Sequence, residues 1–211
     1  MTVTRPRAAR LGLIALLGAT VVVGGNVVAQ PARAEAPAKW APLLMARPSE
    51  LRIAPGVAVG SPEDRAELDA IVAKQAQPLL PKDRIEYWTA GPSPVRWNEI
   101  LLAAVRKAKT NPVRVSRSLA LLNAAMYDAI IAACDAKVAN RRQPPAQRDS
   151  RIKALAPFDD LSSHASVDAA IAAAAVAVLR TIYPDRTKDF EAQGADLLRS
   201  RLVAGTHTAS D

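Results

Sequence analysis

Three short stretches of this chain carry residue types able to handle an oxyanion. One is Lys137 followed by Arg141 and Arg142. The second is Ser162-Ser163-His164. The third is Ser200-Arg201, followed by His207 and, four residues on, by Asp211. Lys137 and Arg201 supply full positive charge, and an arginine fork matches phosphate oxygens. Ser162 and Ser163 read as the N-terminus of a helix, where free N–H groups and the dipole favour an anion. In such a trap His207 attacks phosphorus or ligates a metal oxyanion. Asp211 fixes its tautomer, and His164 protonates the leaving group. Each stretch alone has an ordinary explanation, as a helix cap or a solvated basic loop. The argument for a site is that both histidines of the chain fall in these stretches, each beside a serine or an arginine.

The elements that would position these groups are helical. Half of the 211 residues are apolar but only eight are aromatic, so alanine does much of the packing. β-Branched alternation is scarce, which predicts an all-α fold. "SPEDRAELDAIVAKQ" predicts a helix capped by Ser61, and "PLLPKDR" breaks it. A second helix is expected from about Arg96, closed at Asn111-Pro112. Asn111 then caps the long "PVRVSRSLALLNAAMYDAIIAACDAKVA", whose apolar face recurs at Val115, Leu119, Leu122, Met126, Ala129 and Ala133. "SSHASVDAAIAAAAVAVLRTIYP" is apolar almost all round and predicts a central buried helix. Asp185 is expected to cap a last helix to about Val203, with Gly205 as its left-handed stop. The sum is a compact bundle around a buried alanine-rich helix.

Residues 1–34 read as a secretory signal, with Arg5, Arg7 and Arg10 ahead of an apolar run and Ala32-Arg33-Ala34 as the cleavage site. An uncleaved signal would be the chain's only membrane attachment, and either way the remainder is expected in the periplasm or outside the cell. Residues 35–84 form a Pro/Ala-rich lead-in with one helix, and residues 85–211 form the main domain. The net charge of +8 falls to +4 without the signal, too little to argue for nucleic acid. Cys134 has no partner for an internal disulfide and fits a small buried residue.

"SRLVAGTHTASD" resembles the third motif of the type-2 phosphatidic acid phosphatase and vanadium haloperoxidase superfamily, S-R-x-x-x-G-x-H-x-x-x-D, with Ser200, Arg201, Gly205, His207 and Asp211 in place. "LSSH" is similar to the second motif, P-S-G-H, with Leu161 for proline and Ser163 for glycine. "AAMYDAIIAACDAK" and "YWTAGPSPVRWNEI" look like the bacterial haloperoxidase-like branch, and the likeness covers roughly residues 85–211. The first motif, K-x6-R-P, departs. Counting from Lys137, its arginine position holds Pro144 and its proline is Pro145, leaving Arg142 or Arg141 as displaced substitutes. The family pattern also runs past the aspartate into a further helix, so the resemblance implies a domain incomplete at its C-terminus. The apolar surface left bare is expected to drive self-association into a homo-oligomer.

The resemblance implies an exported phosphatase acting on a small phosphate ester. Lys137, Arg142, Ser162, Ser163 and Arg201 would hold the phosphate. His207 would form a phosphohistidine, Asp211 would orient it and His164 would act as acid, with no cofactor. It equally implies a vanadate-dependent haloperoxidase, with vanadate on His207 and halide and peroxide as substrates. The lost arginine and the early end imply a third outcome, an inactive relative that at most binds oxyanions.

Overall fold

Side-chain caps set where the helices begin. Ser61 Oγ accepts from Asp64 N at 3.2 Å and opens α1 (Pro62–Ala76), with Pro62, Glu63 and Asp64 in its first turn. Asn111 accepts from Val113 N at 2.9 Å and opens α4 (Pro112–Asn140). Ser166, not Ser162 or Ser163, accepts from Ala169 N and opens α6 (Val167–Ile182). The expected serine N-terminus is therefore displaced: Ser162, Ser163 and His164 lie in the loop before the helix. The computed structural model describes residues 36–77, 80–157 and 162–211. The expected signal, residues 1–34, and Leu161 of the second motif lie outside the described residues.

Between the first and fourth helices lie α2 (Lys82–Thr89) and α3 (Ser93–Ala108). The helix expected from Arg96 thus starts earlier, at Ser93, and α2 was not expected at all. A single turn, α5 (Pro145–Arg148), interrupts the loop after α4. The last helix, α7 (Thr187–Val203), follows a 3-10 turn at Pro184–Arg186, so Asp185 caps nothing. Gly205 ends it with φ +70°, where a Cβ would lie 2.7 Å from the Ile152 side chain and 2.8 Å from the Lys153 carbonyl. Glycine is required there on both counts.

The described residues form helices and no strand, as expected of an all-α chain. α6 packs against α3, α4 and α7. It buries one stripe, Ile171, Ala172, Ala175 and Leu179, rather than its whole circumference. Alanine at these contacts lets helices approach closely, while Trp88, Trp97, Leu122, Met126 and Phe190 fill the space around them. Cys134 is buried, as expected. α4 is long and apolar enough to cross a membrane, but Asp128 and Lys137 are buried on it against other parts of the protein.

The lead-in lies along α4. Asp128, midway along that helix, accepts the backbone N–H groups of Leu43, Leu44 and Met45 at 2.7, 2.7 and 3.2 Å. Arg52 pairs with Asp135 at 2.6 Å, and Trp40 stacks on Tyr127. Leu43, Leu44, Leu51, Ile53 and Val59 of this segment stay exposed.

Candidate functional site

The last turn of α4 brings the first two stretches together. Lys137 is buried, and its ammonium donates to the carbonyl of Ser162. Arg141 closes the helix in the left-handed conformation, φ 48°, and stays exposed. The next residue turns back onto the serine loop: Arg142 N donates to Ser162 Oγ at 3.0 Å, and Ser163 N donates to the Arg142 carbonyl at 2.7 Å. The Ser162 hydroxyl donates to the His164 carbonyl at 2.8 Å. Both serine side chains are thus engaged with protein, Ser163 Oγ at 3.4 Å from the carbonyls of Arg142 and Gln143.

His207 follows the glycine stop of α7. The Thr206 hydroxyl donates to the Arg201 carbonyl at 3.1 Å and lies 3.0 Å from His207 Nδ1. A hydroxyl has one proton to give, so towards the ring Thr206 Oγ acts as acceptor. That places the imidazole proton on Nδ1 and a lone pair on Nε2, which makes no hydrogen bond among the described residues. His207 is partly exposed, yet enough protein surrounds the ring for burial to push its pKa down to about 4. Lys137 and Arg201 push in the same direction, while Asp168 and Asp211 oppose them. The ring is neutral near pH 7, with its lone pair in the field of two cations.

Asp211 does not hold His207. Its side chain is fully buried, and its Oδ2 accepts from Thr208 N at 2.7 Å. Its Oδ1 lies 3.2 Å from Arg142 Nη1 and 3.9 Å from His164 Nδ1, too far from the latter for a hydrogen bond. The spacing of four suggested a His–Asp pair. The segment is a loop, however, and the carboxylate folds back on its own turn.

Arg142 is likewise spent on acids rather than left for an anion. Its Nη2 donates to Asp64 Oδ1 at 2.7 Å, and its Nη1 to Ser210 Oγ at 2.9 Å. Arg148 donates to the same Asp64 oxygen at 2.5 Å. Burial pushes the Asp64 carboxyl up, but the Gly60 N–H and the two guanidiniums outweigh it and hold the pKa below the usual range. Arg201 is buried, 2.8 Å from Asp168 through Nε and donating to the Trp88 carbonyl at 2.5 Å. Asp168 also accepts from the Ser93 hydroxyl. The Ser200 hydroxyl is used locally, donating to the Leu197 carbonyl at 2.7 Å. His164 Nε2 is 2.9 Å from the Ala54 carbonyl, which only accepts, so that nitrogen carries a proton committed to the lead-in.

The structure therefore gathers Lys137, Arg201, His207 and Asp211, and it stitches Ser162, Ser163 and His164 to Arg142 beside them. It does not form the His207–Asp211 pair, and it does not leave Arg142 open. Asp64, Arg148, Asp168 and Thr206 were missed. Only Thr206, directly before His207, and Asp168, four residues after His164, carried a signal in their spacing. Among the described residues no group of three or more His, Cys, Asp or Glu side chains is arranged to hold a metal ion.

A haloperoxidase-like fold emerges from comparison with solved structures. The chain is similar to a bacterial vanadium-dependent iodoperoxidase, with a TM-score of 0.68 at 16% identity over 79% of this chain. It spans 50% of that protein's length. At this identity the likeness shows the fold alone. No protein-family model matches the chain, and no curated protein does.

Proposed function

We propose that the chain handles a tetrahedral oxyanion at His207 and hydrolyses small phosphate monoesters there. The observation that carries this is the neutral imidazole, its Nε2 lone pair left bare by the Thr206 hydrogen bond at Nδ1 and lying in the field of Lys137 and Arg201. Nε2 attacks phosphorus, the P–O bond to the leaving group breaks, and the phosphoryl group passes to the ring; water then attacks the phosphohistidine and releases phosphate. Lys137 and Arg201 offset the charge on the phosphoryl oxygens. His164 in its imidazolium form gives the leaving oxygen a proton once the contact to Ala54 opens, and takes a proton back from the attacking water in the second step. The resemblance in the third motif supports these roles, and the charged, apolar and small-residue segments of the N-terminal stretch support action outside the cytoplasm.

The fold of the iodoperoxidase favours a second reading, a vanadate-dependent haloperoxidase. The donor set fits vanadate: a neutral imidazole nitrogen free to ligate it, flanked by two cations to offset its charge. Bound there, vanadate would supply peroxide activation. The commitment of Arg142 to Asp64 and Asp211 favours a third reading, oxyanion binding without turnover.

Release of phosphate from p-nitrophenyl phosphate separates the three. Turnover lost in His207→Ala supports the phosphatase. Peroxide-dependent iodide oxidation only after loading with vanadate, and absent in His207→Ala, supports the haloperoxidase. If both activities survive His207→Ala, the site is misassigned.

A further inference from the structure

A run of unanswered positive charge lies at the turn between α3 and α4. Residues 100–127 hold five cations, Arg106, Lys107, Lys109, Arg114 and Arg117, and no aspartate or glutamate. All five are exposed, and none pairs with a carboxylate among the described residues. Lys109 makes the left-handed turn, φ 49°, and Asn111 opens α4, so the last turn of α3 and the first turn of α4 meet in the tip of a helical hairpin. Thr110 fixes that tip to the end of α6 through its hydroxyl, 3.2 Å from the Tyr183 hydroxyl. Every other residue from 106 to 114 is exposed.

Arg106 and Lys107 have a local explanation, since cations in the last turn of a helix offset its dipole. Arg114 and Arg117 do not. They stand in the first two turns of α4, where the dipole disfavours cations; α1, α2, α6 and α7 each carry an acid in the first turn, and α4 carries none. Helix stability therefore does not account for these charges. Exposed basic runs are commonly only solvated. Here an apolar side chain stands among them: Val113 is 78% exposed, next to Arg114 and one turn before Arg117. Cations around an exposed apolar side chain suit a lipid interface, where the charges meet anionic headgroups and the side chain enters the acyl boundary. A nucleic acid would find phosphate contacts but nothing to stack its bases, because residues 98–126 contain no aromatic side chain.

We propose that the α3–α4 tip docks the protein on an anionic membrane surface. The sequence predicts attachment through an uncleaved N-terminal stretch alone; the tip adds a reversible one. α4 runs from Val113 to Lys137, about 36 Å at 1.5 Å per residue, so the docked tip lies at the opposite end of that helix from the His207 site and leaves it free for soluble esters. The docking does not depend on chemistry at His207.

The test labels the full chain with an environment-sensitive fluorophore at Val113→Cys; Cys134 is buried and does not compete. The label reports the tip itself, which attachment through residues 1–34 would leave in water. Phosphatidylcholine vesicles that contain phosphatidylglycerol should shift its emission to the blue. Vesicles of phosphatidylcholine alone should not, and salt should reverse the shift. Each cation near such a surface strengthens binding about fivefold, so Lys107→Ala with Arg114→Ala should raise the lipid needed about 25-fold. Where residues 1–34 already hold the chain on the vesicle, the same factor falls on the share of tips inserted, and the blue shift fades. Both residues are exposed, and the double variant is expected to melt with the parent. An emission indifferent to phosphatidylglycerol, or one that the double variant leaves unchanged in midpoint and in size, overturns the proposal. So does a shift produced by duplex DNA and not by vesicles, which would assign the tip to a nucleic acid.

Discussion

Thr206→Val isolates the hydrogen bond on which the proposed chemistry depends. Valine keeps the side chain's shape and removes only the hydroxyl, at a residue that is 2% exposed. The His207 Nδ1–H loses its acceptor at 3.0 Å, and the Arg201 carbonyl loses a donor at 3.1 Å. A neutral hydrogen bond is worth about 1 kcal/mol net. That is the bias Thr206 gives to the tautomer with a bare Nε2, so its loss should shift the tautomer ratio about fivefold. Turnover that depends on the Nε2 lone pair should fall by at most that factor, because the population of one tautomer changes less than the ratio does. The assay is 15N NMR of the imidazole nitrogens at pH 7; the chain has two histidines, and His207→Gln assigns the signals. The parent protein should show Nε2 unprotonated, and the variant should show its signal moving towards the protonated value. A parent with the proton on Nε2, or a variant with unchanged shifts, would refute the tautomer argument.

The depressed pKa of His207 makes stability depend on pH. The unfolded ring titrates near 6.5 and the folded one near 4, so between these values the unfolded chain binds more protons. Stability should therefore fall as pH drops from about 6.5 towards about 4, by at most about 3 kcal/mol, and urea midpoints should lose that slope in His207→Gln. Asp64→Asn strips two buried guanidiniums of a shared partner and should cost about 3–5 kcal/mol. Asp69→Asn, which breaks an exposed pair with Arg151, should cost under about 1 kcal/mol. Equal melting temperatures for these two variants would show that the buried cluster contributes nothing special.

Much of the fold was legible because helix ends are written locally. Ser61 and Asn111 stand directly before the helices they cap, and Gly205 directly after the one it stops. α2 escaped because it has eight residues, no side-chain cap and Pro81 ahead of it. Asp185 misled because a 3-10 turn takes up the chain before α7 begins. In the site, the third stretch was legible as a unit because its residues are neighbours. Its inner pairing was not: a spacing of four joins side chains on a helix, but residues 207–211 form a turn that sends Asp211 to Thr208 N instead. The partner of Arg142 lies 78 residues away, on α1. No local pattern encodes a contact of that range, since it is set by how α1 docks on the loop after α4.

The grip of Asp128 on the lead-in has a consequence for which sequences that segment tolerates. The carboxylate reads three backbone N–H groups and no side chain, and Leu43 and Leu44 point 64% and 76% exposed into solvent. Composition at positions 43 and 44 is therefore nearly free, with one exclusion: proline, which has no N–H to give. A library randomised at these two codons and sorted for folded protein should return every residue type there except that one.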